Sequence, residues 1–306
     1  MARTLVIANP MSRAGRTGRR LDVVEARIRS VLGDVDFERT QAPRDAERLA
    51  REGVRAGIER ILVVGGDGTL SEVVSGLLAA GLGRHARIGL LPMGTGGDFV
   101  RSLGVPRAFE LALACIAEDH TRILDAGKVE YRTPGGALRT AYFMNVASLG
   151  ISGLTDTLVN RAPKFLGGRA SFLIGTLRAL LQYRPPPVTL RVDGELVHEG
   201  PLVLAAAGNG RCFGGGMQVA PAAQLDDGRL EIVVIGGSST LRLLAKLPRI
   251  YAGTHLGESE VSRHPGRVLE ADSPEDVWID VDGEPLGLLP LRCEVLPAAV
   301  ELLVPK

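Results

Sequence analysis

No run of eighteen or more apolar residues occurs in the chain, so no helix long enough to cross a bilayer is expected. Cysteine is scarce: Cys115, Cys212 and Cys293 are odd in number and widely spaced, which points to buried thiols in a reducing compartment without a disulfide frame. The five histidines show no ligand spacing, which argues against a zinc centre. An excess of one charge is missing too. With 36 basic and 35 acidic residues the formal charge is +1, and no global field favours nucleic acid. Met1 leads straight into an apolar strand, so no signal peptide is expected, and no internal repeat or low-complexity tract is present. A cytoplasmic protein is the expectation. What the chain does have is a hydrophobic fraction of 45% over 306 residues, enough for two domains with a core in each.

The centre of the sequence is residues 61–76. Ile61 to Val64 read as a buried strand, and Gly65, Gly66, Asp67 and Gly68 as a tight turn. Thr69 or Ser71 is positioned to cap a helix whose apolar face holds Leu70, Val73, Val74, Leu77 and Leu78. A strand that turns through glycines into a helix aims free N–H groups and the positive helix end at one spot, which suits a phosphate. A carboxylate there repels an anion unless a cation bridges them, so Asp67 favours a Mg²⁺-nucleotide. The turn lacks the lysine of G-x-x-x-x-G-K-[ST] and only approaches the dinucleotide pattern.

Around this centre, strand and helix alternate. Residues 3–9 read as a strand ending in Asn9-Pro10, and the basic loop 11–18 leads to a helix over 19–32. The loop's arginines read either as a solvated surface or as phosphate contacts. A short strand over 35–40, a helix over 44–56 and a strand over 87–91 complete a pattern that predicts a parallel sheet covered on both faces. Ligands of such sheets gather at the carboxyl ends of the strands, where Asn9, Thr40, Gly66–Thr69 and Pro92–Asp98 fall. Residues 91–104 form a second glycine turn entering a helix. This looks like the opposite wall of one nucleotide site, with Gly94 and Thr95 in the turn and Asp98 and Arg101 in the first helical turn.

From about Asp125 the texture changes to short strand-like segments joined by turns: 126–132, 139–147, 188–192, 202–208, 230–235 and 277–281. This predicts an antiparallel β domain of two packed sheets. A helical insertion over 164–183 reads as a core element or as a segment lying in a membrane surface. Residues 255–276 read as a polar, exposed connection. The loop 222–230 carries adjacent acids and reads either as an Asp-Gly turn or as a seat for a hard cation. Val281-Asp-Gly-Glu284 reads as a hairpin turn, and spacing alone does not make Asp282 catalytic.

These blocks together resemble the diacylglycerol kinase catalytic family, specifically the soluble bacterial lipid kinases, which are related to sphingosine kinases. The resemblance is carried by Asn9-Pro10 with its basic loop, Gly65-Gly-Asp-Gly-Thr69, Pro92-Met-Gly-Thr-Gly-Gly-Asp-Phe99, Gly208–Pro221 leading into Leu225-Asp-Asp-Gly228, and Asp282-Gly-Glu284. It implies an α/β plus β architecture. An N-terminal doubly wound domain like that of NAD kinases and phosphofructokinases (1–125, with a C-terminal return over 296–306) would bind the nucleotide. An antiparallel β-sandwich (126–295) would take the lipid. It further implies that Asn9, Thr40, Gly66, Asp67, Gly68, Thr69 and Thr95 bind ATP. Asp227, with the carbonyls of Gln224 and Arg229, would hold a structural Mg²⁺ linked through water to Asp98, and Asp282 would be the general base with Glu284 nearby. The family usually has Asn where this chain has Gly97, so nucleotide preference is open.

The reading is an ATP-dependent lipid kinase that moves a γ-phosphoryl group to a diacylglycerol-like hydroxyl while transiently at the inner face of the membrane. The alternatives are a kinase of a soluble acceptor on the NAD-kinase pattern and a non-catalytic nucleotide-sensing module. The particular lipid and the oligomeric state, a homodimer included, stay open at this point.

Overall fold

The computed structural model describes residues 2–153, 183–237 and 240–306. The chain divides into two compact units, one running through Asp125 and taking up Ala298–Lys306 again, the other comprising Ala126–Pro297.

In the first unit, β1 (Thr4–Ala8), β2 (Asp36–Arg39), β3 (Arg60–Gly65) and β4 (Arg87–Pro92) form a parallel sheet in the order β2-β1-β3-β4. The apolar residues of β1, β3 and β4 are buried on both faces, as a sheet covered by helices on each side requires. The helices are α1 (Leu21–Leu32), α2 (Asp45–Arg55), α3 (Asp67–Ala79), α4 (Asp98–Leu103) and α5 (Phe109–Ala117). Helix α1 packs with α5, and α2 with α3. The second contact is close because Gly76 of α3 has no side chain: a Cβ there would stand 2.6 Å from the Glu47 Cα. The chain steps outward from β1 to β2, then crosses back to β3 and continues to β4. Strand order therefore reverses between β1 and β3, and crevices form at such a point beyond the carboxyl ends of the strands. The end of a long final strand, β14 (Glu284–Leu303), lies parallel to β4, pairing Glu301 with Arg87 and Leu302 with Ile88.

The second unit is antiparallel. Its strands are β5 (Thr121–Arg132, which starts in the first unit), β6 (Leu138–Phe143), β7 (Val146–Gly150), β8 (Pro187–Val192), β9 (Glu195–Gly208), β10 (Leu230–Gly236), β11 (Val261–Gly266), β12 (Val268–Asp272), β13 (Trp278–Val281) and β14. One row runs β11-β10-β9-β7-β13-β14. A second runs β9-β8-β12-β14-β5-β6, so β9 and β14 are long enough to serve both layers of a sandwich. Phe143, Leu190, Leu202, Ile232, Ile279 and Cys293 are fully buried between the layers. A smaller apolar cluster on the other face of the first row includes Val146, Leu204 and Met217, against which Leu247, Ile250 and Tyr251 of helix α6 (Thr240–Ala252) pack.

Three expectations need correction. The strand read over 139–147 is two strands, broken at Met144-Asn145, because those amides bond to a carboxylate from another hairpin. The supposedly exposed connection 255–276 contains β11 and β12, and His255 is buried with its Nε2 3.1 Å from the Val219 carbonyl. Its polar residues are the solvent-facing half of short alternating strands: Leu269 and Ala271 point inward between them. Helix α6 was not expected at all. The helical insertion read over 164–183 lies almost wholly outside the described residues.

Candidate active site

Strand β3 ends at Gly65, and α3 begins at Asp67 with an extended Gly66 as its N-cap. The side chains of Thr69 and Ser71 do not cap this helix, contrary to expectation. The first turn closes on the Gly66 carbonyl, which accepts from Leu70 N at 3.2 Å, and Thr69 Oγ1 accepts from Asn9 Nδ2 at 3.0 Å. Asn9 Oδ1 in turn accepts from Met11 N at 2.9 Å. Asn9 and Thr69 therefore fasten the loop after β1 to the first glycine turn and shape the site through that bond.

The second glycine turn is held just as closely. Met93 N donates to the Gly65 carbonyl at 2.6 Å, and Thr17 Oγ1 donates to the Met93 carbonyl at 3.1 Å. The backbones of the two turns touch: a Cβ on Gly94 would stand 2.5 Å from the Gly66 Cα, and one on Gly66 would stand 3.1 Å from the Gly94 Cα. Glycine is required at both places by this approach. Gly94→Ala is expected to cost about 2 kcal/mol by overpacking, read as a lowered denaturation midpoint, together with loss of nucleotide binding. An unchanged midpoint would show that the turns separate freely.

Asp67 joins the two turns. Its Oδ2 accepts from the backbone N–H of Gly97 at 3.0 Å, Asp98 at 2.8 Å and Phe99 at 3.3 Å. Oδ1 is buried and has no hydrogen-bond partner among the described residues. Burial raises the pKa of this carboxyl, the three N–H donors pull it back in part, and the neighbouring Asp98 raises it further. One oxygen of Asp67 thus organises the opposite turn, and the other makes no hydrogen bond among the described residues. Asp98 opens α4 and forms an ion pair with Arg101. Thr40, buried, follows β2 and donates its N–H to Ala8 at 2.9 Å. Gly68, Thr95 and Gly96 are the exposed members of the two turns, and the loop arginines Arg13, Arg16, Arg19 and Arg20 are exposed as well. All the nucleotide candidates read from the sequence therefore lie at the carboxyl edge of this sheet, with Thr40 one strand out from the switch point, after β2.

In the second unit Asp282 and Gly283, with φ of +52° and +88°, make the two-residue turn between β13 and β14. Positive φ at both positions is the type I′ geometry that Asp-Gly favours. The Asp282 carboxylate does more than turn the hairpin. It accepts from the N–H of Met144 at 3.1 Å, Asn145 at 3.1 Å and Val146 at 3.0 Å. Asn145 Nδ2 donates to the Cys212 carbonyl at 2.9 Å, and Asn209 Nδ2 to the Met144 carbonyl at 2.7 Å. Asn145 escaped the sequence reading. The available signal is a lone amide inside the stretch 139–147, which by its pattern reads as one continuous strand. Glu284 is exposed beside the turn.

Gln224, Asp227 and Arg229 line one cavity of about 290 Å³ together with the Glu231–Arg263 ion pair. Asp227 Oδ1 accepts from Arg229 N at 3.0 Å, so the loop is closed on its own carboxylate. One carboxylate with main-chain carbonyls at hand suits a hard cation. No group of three or more His, Cys, Asp or Glu side chains with metal-ligand placement exists among the described residues.

A parallel sheet with glycine turns at its carboxyl edge, followed by an antiparallel sandwich, is a fold also found in NAD kinases. The "diacylglycerol kinase catalytic domain" model matches residues 3–129, and the "YegS C-terminal NAD kinase beta sandwich-like domain" model matches residues 145–304. A protein of Chromohalobacter salexigens named "probable lipid kinase YegS-like" is 36% identical over 86% of this chain and 81% of that protein. The diacylglycerol kinase of Mycobacterium tuberculosis is 30% identical over 100% of this chain and 96% of its own length. Among solved structures, a diacylglycerol kinase from Bacillus anthracis superposes with a TM-score of 0.72 at 22% identity, covering 99% of this chain and 96% of that one. An NAD kinase from Archaeoglobus fulgidus in complex with ATP superposes with a TM-score of 0.51 at 14% identity, covering 99% and 94%. The chain belongs to the diacylglycerol kinase-like family of lipid kinases.

Proposed function

We propose that the protein transfers the γ-phosphoryl group of Mg²⁺-ATP to the hydroxyl of a diacylglycerol-like lipid. The observation that carries this reading is the knot of three loops at the switch point. The loop after β1, Gly66–Thr69 and Met93–Asp98 are tied together by Asn9, Asp67 and Thr17, which leaves the exposed Gly68, Thr95 and Gly96 to face a phosphate chain. Phosphoryl transfer asks for positioning and charge neutralisation and for little covalent work by the protein. In this reading Asn9, Thr40, Gly66–Thr69, Gly94 and Thr95 bind the nucleotide, and Asp98 with Asp67 Oδ1 meets the cation side of it. Mg²⁺, when bound, offsets the phosphate charge. Gln224, Asp227 and Arg229 would hold a structural Mg²⁺ in their cavity.

Asp282 takes the acceptor hydroxyl. With its carboxylate fixed by N–H groups from Met144, Asn145 and Val146, it is held in one orientation. That suits a group that aligns the hydroxyl and takes its proton late, as the bond to phosphorus forms, with Glu284 supporting it. No helix among the described residues is long and apolar enough to cross a membrane, so the enzyme would meet its lipid at the bilayer surface.

The test is incubation with γ-labelled ATP, Mg²⁺ and a panel of lipids and soluble alcohols. Label recovered in the organic phase with a diacylglycerol is the expected result. Label confined to a water-soluble acceptor would transfer the assignment to the NAD-kinase pattern, and no transfer to any acceptor would leave only a nucleotide sensor.

A further inference from the structure

Gly97 sits in the second glycine turn, buried, with φ of +102°. The place where its Cβ would stand is already filled. The Arg107 guanidinium lies across it, with Cζ 3.1 Å and Nε 3.2 Å from that point and one terminal nitrogen closer still. That nitrogen, Nη2, donates to the carbonyl of Gly96. The approach is produced by the short α4. The helix ends after six residues at Gly104, which has φ of +77°, and the chain reverses so that Arg107 comes back over the turn preceding the helix. A glycine at 97 and an arginine at 107 therefore form one unit, because any side chain at 97 would expel the guanidinium.

Arg107 is exposed, so its reach to Gly96 does not serve burial. A guanidinium carries five N–H donors in a planar fork that matches a phosphate, and among the described residues the Gly96 carbonyl takes one of them. Thr95 and Gly96, the exposed residues of this turn, are the ones left to face a ligand.

We propose that Arg107 is the nucleotide-positioning residue of the second glycine turn: it braces the Gly96 carbonyl through the space that Gly97 leaves open and offers its remaining N–H donors to a nucleoside triphosphate. This rests on the nucleotide reading given above. It explains the turn by a residue eleven positions after Gly96 in sequence that no motif of the turn includes.

The experiment compares Arg107→Ala, Arg107→Lys, Gly97→Asn and the double variant Gly97→Asn/Arg107→Ala in the full chain. The readouts are the dissociation constant for MgATP by calorimetry and the thermal midpoint without nucleotide. Asn is chosen because it tolerates the left-handed backbone region better than other side chains. Arg107→Ala is expected to weaken MgATP binding about tenfold, the loss of one charge-assisted interaction, with the midpoint nearly unchanged. Arg107→Lys should recover part of the binding, since it restores the charge without the fork. Gly97→Asn alone should weaken binding at least as much and also lower the midpoint. In the Arg107→Ala background the same Asn should weaken binding little further, while the strain of a side chain at φ of +102° keeps its cost in the midpoint. Wild-type affinity in Arg107→Ala, or fully additive effects of the two changes on MgATP binding, would overturn this inference alone. A wild-type chain that fails to bind MgATP would remove the nucleotide reading and this inference with it.

Discussion

Asp282→Asn is expected to lower turnover by about two to four orders of magnitude, the usual range for removing a positioned proton acceptor, while leaving the KM for MgATP within a few-fold of wild type. The second part of that expectation follows from where Asp282 sits: its contacts are with Met144, Asn145 and Val146 of the sandwich unit, and the nucleotide candidates belong to the other unit. The variant is not structurally silent. Asn has one acceptor oxygen where Asp has two, so its NH₂ must confront either the Met144 N–H or the N–H pair of Asn145 and Val146. The cost is about 1–3 kcal/mol for a donor left without an acceptor, visible as a lowered denaturation midpoint. Asn keeps the positive φ of the type I′ turn at little strain, whereas Ala both loses every acceptor and resists φ of +52°. Asp282→Ala should therefore be the less stable of the two. Turnover within threefold of wild type in Asp282→Asn, with the protein folded, would take Asp282 out of the chemistry and leave it as the pin of the Met144–Val146 break.

Asp67 offers a second pair of variants whose effects separate. Asp67→Ala removes the acceptor for the N–H groups of Gly97, Asp98 and Phe99, and with it the tie between the glycine turns. A loss on the order of 3 kcal/mol is expected, as for breaking a buried network around a charged acceptor, and nucleotide binding should vanish with it. Asp67→Asn retains one oxygen that can occupy the Oδ2 position, so the tie survives. It also removes a carboxylate that burial disfavours as a charge: its pKa is raised in the folded protein, so the native state holds the proton more firmly than the unfolded chain does. Stability is then lost as pH rises from the ordinary carboxylate range through the raised folded value, and Asp67→Asn should flatten that slope. The expected pattern is a fold at least as stable as wild type at neutral pH with MgATP turnover reduced at least about a hundredfold, because the oxygen left for the cation is gone. Chemical denaturation at several pH values, paired with initial rates, distinguishes the two. Full activity in Asp67→Asn would mean that Asp67 serves only to tie the turns.

Much of the nucleotide unit was legible in the sequence. Buried strands such as Ile61–Val64 followed by glycines and an amphipathic helix have few alternative folds, and the alternation of strand and helix predicts a parallel sheet with ligands at its carboxyl edge. The sandwich was legible as a class, with details lost where neighbours decide. Met144-Asn145 reads as strand because Tyr142, Phe143 and Val146 on either side favour one, and only a carboxylate 137 residues further on draws its amide away from a ladder. Strands β11 and β12 were hidden because short segments with alternating polar residues look like loops until partners bury their inner halves.

From its residues alone the chain determined the two-part architecture and the place of the glycine turns, since strand period, helix period and glycine's freedom are local properties of a sequence. Only the tertiary structure decided what each polar side chain is bonded to. Asn9 grips Thr69, Asp67 gathers the N–H groups of the opposite turn, Asp282 breaks a strand, and Arg107 fills the space over Gly97. These are contacts between residues distant in sequence, and no local pattern encodes them, because a hydrogen-bonding group is satisfied by whichever partner the folded backbone brings within about 3 Å.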